Sequence, residues 1–138
     1  MKINFFYSLI FYFIIFSAQA GKDELIFSCK TDNNQHISVI KNGEILEYKF
    51  GKQLNHPSLK IVTTTKNVIK DFENAEGRYT TNSIGFKNKE YVYYVVFQAD
   101  RIEENKQSYY INVEKNQKNI ATIYCIINTV KDNILELE

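Results

Sequence analysis

Few residues of this 138-residue chain have the type and spacing that catalysis, metal binding or disulfide formation requires. Its two cysteines are the clearest of them. Cys29 comes early and Cys125 comes late, and two isolated cysteines in an exported protein most often form one structural disulfide. A metal site needs close ligand spacing, which His36 and His56 do not show with each other or with either cysteine. A thiol activated by one of these histidines is the alternative to the disulfide. We therefore predict a Cys29–Cys125 disulfide, no metal site and no cofactor.

Other catalytic patterns are missing from the sequence. It contains no G-x-S-x-G, no H-E-x-x-H and no glycine-rich phosphate loop. A glycosidase needs two placed carboxylates, but 16 scattered acidic residues always supply some pair by chance. The prediction is that the protein is not an enzyme.

Residues 1–20 have the three parts of a signal peptide. Met1-Lys2 is the basic start, an apolar run extends from Phe5 to Phe16, and Ala18-Gln19-Ala20 is an A-x-A cleavage site. The run is shorter than the about 20 residues of a membrane-spanning helix, so we predict cleavage near Ala20, a periplasmic or secreted protein and no stable membrane anchor. Loss of Lys2 balances the basic and acidic residues, which argues against nucleic acid and anionic membranes as partners.

The remainder, residues 21–138, has the length of one domain and alternates apolar and polar residues with a period of two. Asn42-Gly43 predicts a hairpin turn because both residues tolerate positive φ. We predict an all-β fold of about eight antiparallel strands in a small barrel or sandwich, while residues 66–77 fit neither a strand nor a helix clearly. The predicted interior residues are Leu25, Phe27, Leu46, Tyr48, Phe50, Ile61, Tyr93, Val95, Ile111 and Ile123.

Two segments concern the surface of this fold. Ile127, Val130, Ile134 and Leu137 recur at helical spacing, which predicts a short amphipathic C-terminal helix, with a frayed tail as the alternative. The run 91–97 is apolar on both faces, so Tyr94 would point outward together with its apolar neighbours. Either the C-terminal helix or a partner protein should cover it.

A second candidate for protein binding is the stretch Glu76-Gly77-Arg78-Tyr79, which lies where a strand begins. It offers a carboxylate, a guanidinium and a phenol on the kind of loop that carries function in β scaffolds. The alternative is a glycine turn with solvated charges.

Three features carry a resemblance to known proteins: Phe27-Ser28-Cys29, the hairpin end Tyr48–Lys52 and the late Cys125. With its predicted signal peptide the chain resembles small secreted proteins of Gram-negative bacteria. It is also similar in layout to the periplasmic and membrane-bound inhibitors of c-type lysozyme, which are small β-barrels. Those inhibitors carry an S-x-S-G-x-x-Y loop, whereas residues 75–79 keep the glycine and tyrosine at another spacing and lack both serines.

The resemblance implies a protein that binds and inhibits another protein, namely a lytic or toxic enzyme. An immunity protein against a secreted effector would have the same size, signal and inhibitory role. Two other functions stay open from the sequence: a carrier of a small apolar ligand, and a structural module of the cell envelope.

Overall fold

The computed structural model describes residues 21–138, so the predicted signal peptide lies outside the described residues. The chain forms two antiparallel five-stranded sheets, which confirms the all-β prediction. The first sheet has the order β10-β1-β2-β3-β4, with strands β1 (Asp23–Lys30), β2 (His36–Asn42), β3 (Ile45–Gly51), β4 (Leu59–Thr64) and the two-residue β10 (Lys131–Asp132). The second has β5 (Ile69–Glu76), β6 (Tyr79–Asn88), β7 (Tyr91–Asp100), β8 (Gln107–Lys115) and β9 (Lys118–Tyr124), in sequence order.

Tight turns connect most neighbouring strands. The predicted hairpin at Asn42-Gly43 forms, but Asn42 pairs with Ile45, so the two turn residues are Gly43, with φ of 58°, and Glu44. Between β8 and β9 the turn residues Asn116 and Gln117 both have positive φ, 51° and 63°. These conformations give the hairpin turns a twist that matches the strands they join.

Aromatic side chains fill the space between the two sheets. The ring of Tyr48 lies 5.1 Å from that of Phe86 and 6.0 Å from that of Tyr93, and the ring of Phe27 lies 6.2 Å from that of Tyr109. Burial raises the pKa of Tyr48 well above its ordinary value. The two sheets therefore pack face to face as a sandwich with a continuous core.

The core includes nine of the ten predicted interior residues, and the prediction for Leu25 is wrong. A β-bulge inserts Ile26 between Leu25, which pairs with Ile40, and Phe27, which pairs with Val39. The extra residue reverses the alternation, so Ile26 and Phe27 are both fully buried while Leu25 is only half-buried.

Residues 66–77, which fitted no clear pattern, are mostly the edge strand β5. Its pairing with β6 shifts between Asp71 and Asn74, and Glu73 there has φ of 53°. The Glu73 N–H donates to Oδ1 of Asn82 at 2.7 Å, which holds this bulge against the neighbouring strand. The irregularity breaks the period of two and hides the strand from sequence patterns.

In place of the predicted amphipathic helix, the C-terminal tail forms two 3₁₀ turns, at Ile127–Thr129 and Ile134–Leu137, with β10 between them. Ile134 and Leu137 are buried in the core, which explains part of the helical spacing. Asn133 fastens the tail to β1, because its N–H donates to the Ile26 carbonyl at 2.8 Å and its Nδ2 to the Leu25 carbonyl at 2.9 Å.

Cys29 and Cys125 form the predicted disulfide, with their Cα atoms 5.8 Å apart. Cys29 belongs to β1 in the first sheet, and Cys125 follows β9 in the second, so the bond links the two sheets. Two backbone hydrogen bonds support this seam: Ile126 N–H to the Lys30 carbonyl at 2.8 Å and Asp32 N–H to the Tyr124 carbonyl at 3.2 Å. Between residues 21 and 138, no helix has the length and apolar character needed to cross a membrane.

Candidate functional site

The second sheet has an outer face, on the side away from the core, where Tyr94 and Val96 of β7 occupy the centre. Tyr94 stands between Gly85 of β6 and Asn112 of β8, its cross-strand partners. Val96 stands next to Tyr110 in the same way. Alternation along β7 places these side chains opposite the core residue Val95.

The ring of Tyr94 lies directly over Gly85. A Cβ atom added to Gly85 would come within 2.6 Å of Cε1 and 2.8 Å of Cδ1 of Tyr94, and 3.2 Å of Cβ of Ile69. Glycine therefore makes room for the ring on the sheet surface. Burial raises the pKa of the Tyr94 phenol, and the negative charges of Glu114 and Asp71 raise it further, so the phenol stays neutral at physiological pH.

The aromatic surface continues from β8 to the edge strand β9. The rings of Tyr110 and Tyr124 have their centroids 5.6 Å apart, and the Tyr110 hydroxyl donates to Oε1 of Gln98 at 2.7 Å. Burial is the main cause that raises the pKa of Tyr110, and the electrostatic effect of the neighbouring Tyr124 raises it further. Tyr124 is 52% exposed, so its ring is available at the rim of the face.

A groove of about 420 Å³ runs across this face. Tyr94 and Val96 lie in it, and the carboxylates of Asp71, Glu76 and Glu114 contribute to its lining. Of the residues from 21 onward that the structure describes, no lysine, arginine or histidine lines the groove. Within residues 21–138, none of the three carboxylates forms a salt bridge; Asp71 accepts a hydrogen bond from Nδ2 of Asn74 at 2.9 Å.

One end of the second sheet carries the turn Gly77-Arg78, which joins β5 to β6 and is tied to the loop after β7. Nε of Arg78 contacts Oδ2 of Asp100 at 2.7 Å, and its guanidinium also pairs with Glu103. In return, Arg101 donates from its backbone to the Arg78 carbonyl at 2.8 Å and from Nη1 to the Gly77 carbonyl at 3.1 Å. We call this set of contacts the tip network.

The charges of the tip network hold one another ionised. The Arg78 guanidinium and then Lys106 lower the pKa of Glu103. The side chain of Asp100 is 1% exposed, and burial alone would raise its pKa. Hydrogen bonds from the N–H groups of Glu103 and Ile102 and from Arg78 have the larger, opposite effect, so the pKa of Asp100 is lowered. Arg78 is therefore engaged within the molecule rather than presented to the groove.

The predicted binding residues fall into three places. Glu76 and Tyr94 line the same groove, while Gly77 and Arg78 form the turn at its end. Tyr79 lines a smaller depression of about 180 Å³ beside Asp100. Sequence patterns did not point to Asp71 and Glu114, because only the strand order of the folded sheet brings them to the groove.

The expectation that the C-terminal segment covers Tyr94 is wrong. Ile134 and Leu137 pack into the core between the sheets, and the Leu137 carbonyl accepts from Nζ of Lys70 at 2.6 Å. No tail residue lines the groove. Residues 21–138 contain no group of three or more His, Cys, Asp or Glu side chains that could hold a metal ion.

Fold and surface together define a disulfide-linked antiparallel β-sandwich with an uncovered aromatic face on one sheet. Comparisons of the chain with protein-family models, with curated proteins and with solved structures give no match.

Proposed function

We propose that this is an exported protein, periplasmic or secreted, that binds and inhibits another protein, a lytic or toxic enzyme, through the outer face of its second sheet. The observation that carries the proposal is the aromatic surface formed by Tyr94 and Tyr110, which are half-buried, and by Tyr124, which is 52% exposed. Contiguous exposed apolar surface marks interaction sites, and tyrosine is enriched among the residues that dominate binding energy.

The rigidity of the scaffold supports an inhibitory role. The disulfide links the two sheets, and the tip network fastens the β5–β6 turn to the loop after β7. A preorganised surface loses little conformational entropy when it docks, so more of the contact energy appears as affinity. The disulfide also fits a compartment outside the reducing cytosol.

A carrier of a small apolar ligand has less support, because side chains occupy the space where the ligand would sit. Tyr48, Phe86 and Phe27 are fully buried between the sheets. The groove and the smaller depression beside Asp100 both lie at the surface.

Site-specific photo-crosslinking tests the proposal. The crosslinking amino acid p-benzoylphenylalanine would replace Tyr124 on the outer face of the second sheet or, as a matched control, Val62 on the first sheet, which is 57% exposed. In cells that make the protein, we expect a covalent adduct with one enzyme from position 124 and none from position 62. Adducts of equal yield from both positions, or none from position 124, would contradict the proposed surface.

The inhibitory part of the proposal has its own measurement. The enzyme identified in the adduct is assayed with increasing amounts of the purified protein, and its activity should fall to the background at a one-to-one ratio. Unchanged activity would reject inhibition and leave a binding module.

A further inference from the structure

The groove gathers three acidic residues, Asp71, Glu76 and Glu114, in one lining. Some acidic side chains elsewhere contact basic ones: Glu47 contacts Lys49 and Lys60 at 2.6 and 2.8 Å, and Glu90 contacts Lys115 at 3.1 Å. The whole chain is close to neutral, with 17 basic and 16 acidic residues. Three unpaired carboxylates in one groove are therefore a local feature and not the result of an acidic protein.

These carboxylates flank the tyrosine from both sides. Asp71 and Glu76 belong to β5 and Glu114 to β8, while Tyr94 belongs to β7 between them in the sheet. Glu114 and Asp71 are close enough to raise the pKa of Tyr94, second only to burial. A basic residue, Lys87, lines an adjoining depression together with Glu90 and Glu114.

An aromatic floor with carboxylates at its sides suits a flat cation. A guanidinium can stack on the face of a tyrosine ring and donate hydrogen bonds to carboxylates in its own plane. An ammonium group is a compact point charge that is more strongly hydrated than a guanidinium. It therefore interacts less favourably with the face of the ring. An anionic partner segment would be repelled by the same three groups.

We propose that the partner presents a basic loop to this face and inserts an arginine side chain into the groove, over Tyr94 and between Asp71 and Glu114. This inference rests on the proposed function and adds the chemistry of the partner.

Short peptides test the groove without knowledge of the partner. The isotope-labelled mature protein is titrated, by NMR, with three peptides of equal length that carry arginine, lysine or glutamate in the same glycine-serine background. We expect the arginine peptide to shift the amide signals of Tyr94, Val96 and Asn112. The lysine peptide should bind more weakly at the same residues, and the glutamate peptide should not bind.

Variants then identify the groups responsible. The triple variant Asp71→Asn, Glu76→Gln, Glu114→Gln should weaken arginine-peptide binding by about tenfold, since each exposed charge pair contributes a small share. The matched control changes the exposed residues Glu44, Glu136 and Glu138 to Gln, which alters the net charge equally and should leave the affinity within about twofold. Equal binding of the glutamate peptide, signal shifts elsewhere, or an unaffected triple variant would overturn the inference.

The same triple variant separates this inference from the proposed function. If it still crosslinks at position 124 with wild-type yield, the arginine inference fails and the docking surface stands. If the wild-type protein gives no adduct there, the proposed function fails, and the peptide titration alone decides whether the groove accepts arginine.

Discussion

At the scale of single residues, the contact of Tyr94 with Gly85 sets the shape of the candidate surface. Any Cβ at position 85 would collide with the ring of Tyr94 and approach Ile69. The ring would have to lift from the sheet, which would fill the groove from below. A glycine in the middle of a strand otherwise weakens it, so its presence here has a packing reason.

We expect Gly85→Ala to lower the free energy of unfolding by about 1–2 kcal/mol, the usual cost of overpacking, in urea denaturation. It should also move the NMR signals of Tyr94 and Ile69. Gly77→Ala is the matched control: no atom lies within 4 Å of its added Cβ, and only the positive φ of 57° is unfavourable. Unchanged signals at Tyr94 in the Gly85 variant would contradict the close contact.

At the scale of elements, alternation along the chain was enough to predict most strands, since it reports directly which face is buried. It failed where an extra residue shifts the phase, at Ile26 and again near Glu73. The groove could be predicted only in part. Tyr94 faces outward by alternation alone, but Asp71 and Glu114 are more than forty residues apart and meet only through the order of the strands.

The C-terminal tail shows the same limit for helical patterns, because a short 3₁₀ turn can bury residues at nearly the same spacing as an α-helix. Leu137 is 4% exposed in the core, whereas Leu135 in the same turn is 54% exposed. We expect Leu137→Ala to cost about 2–3 kcal/mol of unfolding free energy, measured in urea. Leu135→Ala should cost less than about 0.5 kcal/mol. Equal costs would mean that the tail does not pack as described.

The tip network predicts a local response to acid. The folded-state pKa values of Glu103 and Asp100 are lowered from ordinary values of 4.5 and 3.8. Groups of this kind stabilise the folded state above their unfolded pKa, and the contribution is lost as the pH falls through the folded pKa. The contacts of Arg78 should therefore persist at neutral pH and break only in stronger acid than those values.

An NMR titration of the Glu103 carboxyl carbon measures this directly. In the wild-type protein the titration midpoint should lie below 4.5. In Arg78→Gln it should move upward, because the hydrogen bond with Arg78, the largest cause of the lowered pKa, is removed. Lys106→Gln serves as a comparison and should have the smaller effect, since Lys106 is the weaker partner. A wild-type midpoint at the ordinary value would contradict the ion pair.

At the scale of the whole molecule, the two sheets are joined in more than one way. The core packs them face to face, the disulfide links them at one edge, and backbone hydrogen bonds and the tail support the same seam. The covalent link acts mainly on the unfolded chain, whose loop between the cysteines spans 96 positions. Its loss should therefore lower stability without changing the fold.

The double variant Cys29→Ala, Cys125→Ala should lose about 4 kcal/mol of unfolding free energy, because closing a loop of about 100 residues restricts the unfolded chain by this order. Its far-ultraviolet circular dichroism should remain that of the wild-type protein, since the hydrogen bonds of the seam persist. Reducing agent should lower the urea midpoint of the wild-type protein to that of the variant, and should not change the variant itself. If the variant unfolded at the wild-type urea concentration, the disulfide would contribute nothing and the core would account for all the stability. If it lost its strand signal, the seam would depend on the covalent bond.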